Sequence, residues 1–216
     1  MSKLVLASDS NGAATYVTAA ETFVSRIGAA LGFTSFVNSA ISGQQATGIL
    51  SNLSTQVLAH SPNACIVMIG TNDMEAAYTA NVLNSTLLPA YLATMGSIID
   101  QVKAAGIALT VFSPPMSRSG EFNARMAELA EALRDLCRVK VVGFFDVFGE
   151  MQRDARRMAR DEFLQCWYNP ASADLYHLGP VGQPLRPGVE PVQPPPAPPS
   201  RALQLFLADQ LDQLLL

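Results

Sequence analysis

A serine close to the start of the chain lies in a sequence context in which it could act as a nucleophile. Ser10 stands in LVLASDSNG, where an apolar run stops abruptly at small polar residues. This break predicts a strand followed by a helix, which places Ser10 at the carboxyl end of the strand, where α/β sheets bind ligands. A helix N-terminus beside the hydroxyl favours developing negative charge. Taken alone, the Ser-Asp-Ser run is more often a helix cap than a catalytic site.

Two later segments offer hydrogen-bond donors for such a charge. Gly43, in NSAISGQQATG, follows the second predicted strand, and its backbone N–H can approach a ligand because no Cβ intervenes. In IVMIGTNDM, Gly70 permits a turn after an apolar strand and Asn72 can present its side-chain amide. Asp73 is predicted to cap or fasten this loop. Taken alone, the Gly43 segment is more typical of an ordinary βα loop, whereas Gly-Thr-Asn-Asp after a buried strand favours a functional loop.

An acid and a base follow near the end of the chain. Asp174 and His177 are three residues apart in SADLYHLGPVG, so a helical turn puts both on one face and the carboxylate can orient the imidazole. The chain's other histidine, His60, directly precedes a predicted strand, so it lies at the opposite end of the sheet from the strand exits. We therefore predict that His60 is a surface residue and that His177 is the general base.

Together these segments resemble the SGNH hydrolase family, also called GDSL-like esterases. The resemblance runs in order from about Lys3 to Gly182, and the blocks that carry it are Asp9-Ser10, Gly43, Gly70-Thr71-Asn72-Asp73 and Asp174-x-x-His177. It implies a Ser10–His177–Asp174 triad and an oxyanion hole made by the Ser10 N–H, the Gly43 N–H and the Asn72 side chain, with no metal and no cofactor. One position departs from the pattern, because Ser8 stands where the family usually has glycine.

The family resemblance implies a serine esterase that works through an acyl-enzyme. We expect short acyl groups, foremost acetyl, with a carbohydrate O-acetylesterase as one form of this activity, because no long apolar lid is evident. Lipase or thioesterase chemistry, acyl transfer on the same triad, and a non-catalytic module that binds esters or glycans remain open, since a shared fold does not choose among them. Asp9, Thr71 and Tyr176, next to the site residues, are the predicted substrate contacts.

Short apolar runs that alternate with helical patterns must position these residues. This alternation predicts a three-layer α/β/α sandwich around a mostly parallel five-stranded sheet, as in SGNH hydrolases and flavodoxin-like folds. The predicted strands are Lys3 to Ala7, Ser35 to Asn38, Ala64 to Ile69, Ile107 to Phe112 and Val139 to Phe144. The predicted helices are about Ala13 to Leu31, Thr47 to Ala59, Leu87 to Ala105 and Glu121 to Cys137.

Glycines and prolines mark the limits of these elements. Gly32, Gly106 and Gly143 are predicted to mark the ends of elements, where a left-handed or flexible residue is useful. Nine of the 14 prolines crowd into the tail, so the stretch at about 183–200 is predicted to be an irregular or polyproline excursion. An apolar stripe at helical spacing then predicts a last helix at about 200–216. Residues 1–216 are thus interpreted as one domain.

Composition limits the class of partner. The net charge of −4 and a pI of about 5.1 argue against nucleic-acid binding, which needs a basic face. The basic cluster Arg153, Arg156, Arg157 and Arg160 alternates with acidic residues at helical spacing, which favours a solvated helix face over an anion site. No apolar run is long enough for a membrane span. The expected partner is a small acyl ester or an acetylated carbohydrate.

The three cysteines, Cys65, Cys137 and Cys166, are widely spaced and form neither a metal motif nor a disulfide framework, so we predict buried thiols. The first residues, MSKLVLASDS, contain too few apolar positions for the core of a secretion signal. We therefore expect a cytoplasmic protein or one exported by a route that this chain does not encode.

Overall fold

Five parallel strands form a single sheet in the order β2-β1-β3-β4-β5. The computed structural model describes residues 2–13, 23–116 and 120–157. The strands are β1 Lys3–Ser8, β2 Ser35–Asn38, β3 Ala64–Met68, β4 Ala108–Phe112 and β5 Gly143–Phe145. Because β1 has β2 on one side and β3 on the other, the strand order reverses direction at β1. Ligands of open α/β sheets bind outside the carboxyl ends of the strands at such a point.

Helices cover both faces of the sheet, as the predicted sandwich requires. They are α1 Phe23–Ala30, α2 Ala46–Ser51, α3 Leu53–Gln56, α4 Thr71–Thr79, α5 Asn84–Ala104, α6 Gly120–Lys140 and α7 Val147–Arg157. Within the described ranges, none of these helices is long and apolar enough to cross a bilayer. The prediction of a three-layer α/β/α fold is confirmed.

The two layers of helices bury alternate residues of the strands. Val5 and Ala7 of β1 pack into one core with α2, α3, α5 and α6. Leu4 and Leu6 point to the other face and pack with α1 and α7. Side chains alternate between the two faces of a strand, so an unbroken apolar run serves both cores. This explains why the strands read as continuous hydrophobic segments.

The predicted end of the fourth helix and start of the last strand were wrong. Helix α6 continues through Val139 to Lys140, and β5 begins only at Gly143. The Val142 N–H donates to the Cys137 carbonyl across a left-handed Val141, which is the Schellman arrangement that ends many helices. The left-handed residue is therefore Val141 rather than Gly143, whereas Gly32 and Gly106 do have the predicted positive φ.

The helix predicted from Thr47 to Ala59 is broken into α2, α3 and a 3₁₀ turn at Leu58–His60. The break lies at Ser51 and Asn52, whose side chains donate to the carbonyls of Thr47 and Gly48 one turn back. Such side chains compete with the backbone for carbonyl oxygens and favour irregular structure. The pattern of apolar residues did not reveal this interruption.

Several other predictions can be compared with the structure. Helix α5 begins three residues before the predicted Leu87. Of the helix predicted from about Ala13 to Leu31, residues 14–22 lie outside the described part, and Phe23–Ala30 form α1. The His60 carbonyl accepts from Lys3 Nζ at the start of β1, which confirms the position of His60 at the amino end of the sheet. The proline-rich segment and the last helix lie outside the described residues.

The cysteines and the arginine cluster can be compared with their predictions where they are described. Cys65 and Cys137 are buried free thiols, and burial raises the pKa of each to about 12. Arg153 pairs with Glu150 on α7, as expected of a solvated helix face. Cys166 and Arg160 lie outside the described residues.

The strained end of α6 allows a stability test. Val141 has φ 52 and is 79% exposed. Its side chain therefore gains little from packing, and a β-branched residue is unfavourable in this left-handed backbone conformation. We expect Val141→Gly to raise the free energy of unfolding by about 1 kcal/mol, measured by urea denaturation. Val139→Gly, at a position that is 74% exposed but helical, should instead lower it by about 0.3–0.5 kcal/mol, the difference in helix propensity between valine and glycine. Changes of the same sign would contradict this explanation.

Candidate active site

Ser10 lies in a capped turn that directly follows β1. The backbone N–H groups of Gly12 and Ala13 donate to the Asp9 carbonyl at 3.0 and 3.1 Å, which is the start of a helical turn. The Asp9 carboxylate accepts from the Asn11 N–H at 2.9 Å and from Asn11 Nδ2 at 3.1 Å. Asp9 is 1% exposed, so its side chain caps the turn. The substrate contact assigned to Asp9 from the sequence stays a prediction.

The turn forms with serine in place of the family's usual glycine. Ser8 is fully buried, and its hydroxyl has no hydrogen-bond partner among the described residues. A Cβ placed on Gly12 would lie 2.6 Å from Ser8 Cβ and 2.8 Å from Ser8 Oγ. The side chain at position 8 therefore fits because position 12 has none.

Gly43 lies in the loop that follows β2. Its φ of 77 is in the left-handed region, which explains why glycine is favoured there. Apart from the adjacent residues of the chain, no described atom lies within 4 Å of a Cβ built on Gly43, so a side chain there would enter open space. Donation by the Gly43 N–H to an oxyanion stays a prediction.

The segment after β3 is the beginning of a helix, where the sequence had indicated a turn. Gly70, with φ 134, is confined, since a Cβ there would lie 3.0 Å from the hydroxyl of Tyr91. Helix α4 starts at the next residue, so Thr71, Asn72 and Asp73 form its first turn. The Tyr91 hydroxyl donates to the Ile69 carbonyl at 2.8 Å and fixes the end of the strand.

The side chain of Asn72 is held from the loop after β2. Its Nδ2 donates to the Gln44 carbonyl at 2.9 Å, and Gln45 Nε2 donates to the Asn72 carbonyl at 3.3 Å. A primary amide nitrogen has two hydrogens, so the bond to Gln44 uses one and fixes the direction of the other. The geometry is compatible with the donor role predicted for Asn72.

Asp73 does fasten the loops, as predicted, but through another element. Both of its carboxylate oxygens accept from the Ala46 N–H at the start of α2, at 3.2 and 3.1 Å. Burial raises the pKa of Asp73 to about 6, although its bonds from backbone N–H groups oppose the rise. Burial and the charges of Asp73, Cys137 and Asp9 raise the pKa of Tyr91, which keeps the phenol neutral as a donor.

Hydrogen bonds join the three loops that follow β1, β2 and β3. Asn11 Nδ2 donates to Thr71 Oγ1 at 3.3 Å, Asn38 Nδ2 donates to the Gly12 carbonyl at 2.7 Å, and the Ile41 N–H donates to the Ser8 carbonyl at 3.0 Å. The segments with Ser10, Gly43 and Asn72 are thus brought together at one edge of the sheet. Asp174, Tyr176 and His177 lie outside the described residues, so their roles stay predictions.

Sequence reasoning missed residues that hold the site together. Asn11 is two residues from Asp9, a spacing typical of local Asx turns, and this signal was available. Gln44, Gln56 and Tyr91 gave no local signal, because their partners belong to other elements.

The buried carboxylate of Asp73 predicts a pH dependence of stability. Its pKa is about 6 in the folded protein against 3.8 without burial, so the folded state binds this proton more tightly than the unfolded chain does. The contribution of Asp73 to stability is therefore fully present below about pH 4 and is lost as pH rises through about 6. Asp73→Asn has no titratable carboxyl at this position, so it should lack this pH dependence. Urea denaturation across this range should show the wild type losing stability relative to Asp73→Asn, and parallel profiles would contradict the assignment.

Comparison with known proteins identifies the family and the fold. A match to the GDSL-like lipase/acylhydrolase family spans residues 8–184. A search of curated proteins gave no significant match. Among solved structures, a variant of an acetyl xylan esterase from Geobacillus stearothermophilus has a TM-score of 0.66 at 17% identity, covering 82% of this chain and 87% of its own. A lipase/acylhydrolase from Enterococcus faecalis has a TM-score of 0.63 at 21% identity, with coverage of 82% and 87%.

These structures share the fold, and the family match is the finding that extends from strand β1 past His177. The resemblance inferred from the four sequence blocks is thereby confirmed. This protein belongs to the GDSL-like lipase/acylhydrolase family and is a carboxylic ester hydrolase.

Proposed function

We propose that this protein hydrolyses short-chain acyl esters, with acetyl as the preferred group, through a Ser10–His177–Asp174 triad. The observation that carries the proposal is the hydrogen-bonded junction of the loops after β1, β2 and β3, which holds the segments of Ser10, Gly43 and Asn72 at one sheet edge. A serine hydroxyl is a poor nucleophile at neutral pH and needs a base together with donors aimed at the oxyanion.

In the first half of the reaction, His177 takes the proton of Ser10 as Oγ attacks the ester carbonyl carbon. The carbonyl electron pair moves onto oxygen, and this oxyanion accepts from the N–H groups of Ser10 and Gly43 and from Asn72 Nδ2. The tetrahedral intermediate collapses, the bond to the alcohol oxygen breaks, and His177 gives the proton to the departing alcohol. Asp174 keeps the imidazole in the productive tautomer.

In the second half, water replaces the alcohol. His177 accepts a proton from water as its oxygen attacks the acyl-enzyme carbonyl, and the same donors stabilise the second oxyanion. The bond to Ser10 Oγ then breaks, and Ser10 recovers its proton from His177 as the acid is released. No redox change occurs in either half.

Two substitutions test the proposed machinery. Ser10→Ala removes the nucleophile, so we expect nearly all hydrolysis of p-nitrophenyl acetate to disappear. Asn72→Ala removes one oxyanion donor and should raise the barrier by about 2.7–4 kcal/mol, a loss of about 10²–10³-fold in kcat. Steady-state kinetics with circular dichroism as a folding control measures both. Equal, negligible turnover in wild type and Ser10→Ala would indicate a binding module, and unchanged turnover in Asn72→Ala would refute its donor role.

The acyl group is tested by a series of substrates. Similarity in fold to an acetyl xylan esterase supports acetylated carbohydrate as the substrate class, while similarity to a lipase/acylhydrolase keeps longer acyl chains in the comparison. We expect kcat/KM on p-nitrophenyl esters to fall from acetate and butyrate towards palmitate, and acetate to be released from acetylated xylan. A rise in kcat/KM towards the long chains would overturn the acetyl preference.

A further inference from the structure

Two buried glutamine side chains pair with each other beside the loop that follows β2. Gln44 Nε2 donates to Gln56 Oε1 at 3.1 Å, and Gln56 Nε2 donates to Gln44 Oε1 at 3.2 Å. The second hydrogen of Gln56 Nε2 is directed to the Ser39 carbonyl at 3.2 Å. Gln44 and Gln56 are only 8% and 7% exposed. Burying primary amides costs free energy unless their hydrogen bonds are made, so this arrangement is fixed in direction.

The pair holds both ends of the loop that contains Gly43. Ser39 begins the loop and Gln44 ends it, and Gln56 on α3 binds the first through its carbonyl and the second through its side chain. The Gln44 carbonyl in turn accepts from Asn72 Nδ2. One side chain thus connects, through Gln44, to both donors that are contributed from outside the Ser10 turn.

Gly43 needs such support, because packing does not supply it. It is an exposed glycine with positive φ, and apart from the adjacent residues of the chain no described atom lies within 4 Å of where its Cβ would be. The direction of its N–H is therefore set by the hydrogen bonds on either side of it. A methionine or leucine at position 56 would fill the same buried volume without the cost of desolvating an amide, but it could not hold the loop.

We propose that Gln56 is a positioning residue for the oxyanion hole. It contacts no reacting atom, and it acts through Gln44 by fixing the Gly43 N–H and the Asn72 amide where negative charge develops. This inference rests on the proposed esterase function. Preorganised donors lower the barrier only when they are already in place, and a misplacement of about 1 Å can cost about 10²-fold in rate.

The test separates positioning from stability by using two variants. Gln56→Met leaves the Gln44 amide unsatisfied, so it should lower the free energy of unfolding and lower kcat on p-nitrophenyl acetate by about 10–100-fold, with KM within about twofold. Gln44→Met/Gln56→Met replaces both partners by apolar side chains of similar shape, which can restore stability. We expect its kcat to stay low even though its stability recovers. If kcat recovers together with stability, the role of Gln56 is structural and the proposal fails.

A matched control is available at Asn84, another buried amide. Asn84 Nδ2 donates to Glu128 Oε2 and to the Arg125 carbonyl, which joins α5 to α6, and neither bond reaches the loop that follows β2. Asn84→Leu should lower stability while kcat remains at the wild-type value below its unfolding temperature. A loss of kcat equal to that of Gln56→Met would show that destabilisation alone explains the effect, and would overturn the proposal.

Hydrogen exchange gives a readout that does not depend on turnover. We expect Gln56→Met to accelerate exchange of the amides in residues 39–46, and unchanged exchange would refute the positioning of this loop. Wild-type hydrolysis that does not depend on Ser10 would defeat the proposed function and the oxyanion role with it. Ser10-dependent hydrolysis with full kcat in Gln56→Met would defeat only the positioning role.

Discussion

The site depends on hydrogen bonds between loops that leave neighbouring parallel strands. The sheet brings the ends of β1, β2 and β3 to one edge, but it does not fix where the following residues point. Direction comes from polar groups that pair across loops, such as Asn11 with Thr71, and Asn72 with the Gln44 carbonyl. Backbone groups in these loops need hydrogen-bond partners, and several of those partners are side chains of adjacent segments. The constraint that satisfies the loops therefore also orients the site.

This solution places costly groups at the site. Asp73 is a buried carboxylate whose pKa rises to about 6, and the hydroxyl of Ser8 has no partner among the described residues. Each such group lowers stability by itself, since desolvation is not fully repaid. Burial of apolar side chains in the two cores on either side of the sheet offsets the free-energy cost of these polar groups. Functional sites commonly combine a rigid apolar scaffold with locally unfavourable polar groups in this way.

Close contacts at two positions join the scaffold to the site. Gly70 must lack a side chain because the Tyr91 hydroxyl occupies the adjacent space, and that hydroxyl holds the end of β3. Gly12 must lack one because the side chains of Ser8 and Leu6 occupy the adjacent space. The turn at Gly70 is shaped by contact with Tyr91 of α5, and the turn at Gly12 is shaped by contact with Ser8 at the end of β1. The turns that precede Asn72 and that contain Ser10 are therefore determined by packing as well as by glycine content.

The sequence by itself determined the layered α/β architecture, the five strands and the four blocks that identify the family. These properties depend on periodicity and on residue types at short spacing, which the chain displays directly. It misplaced the start of β5, because a left-handed Val141 ends the preceding helix late. It missed the break within the helix predicted from Thr47, because side-chain bonds from Ser51 and Asn52 override apolar patterning. Only the tertiary structure decided that Gln44 faces Gln56 and that Asp73 binds Ala46. These partners are distant along the chain, and their pairing follows from how the loops pack at the edge of the sheet.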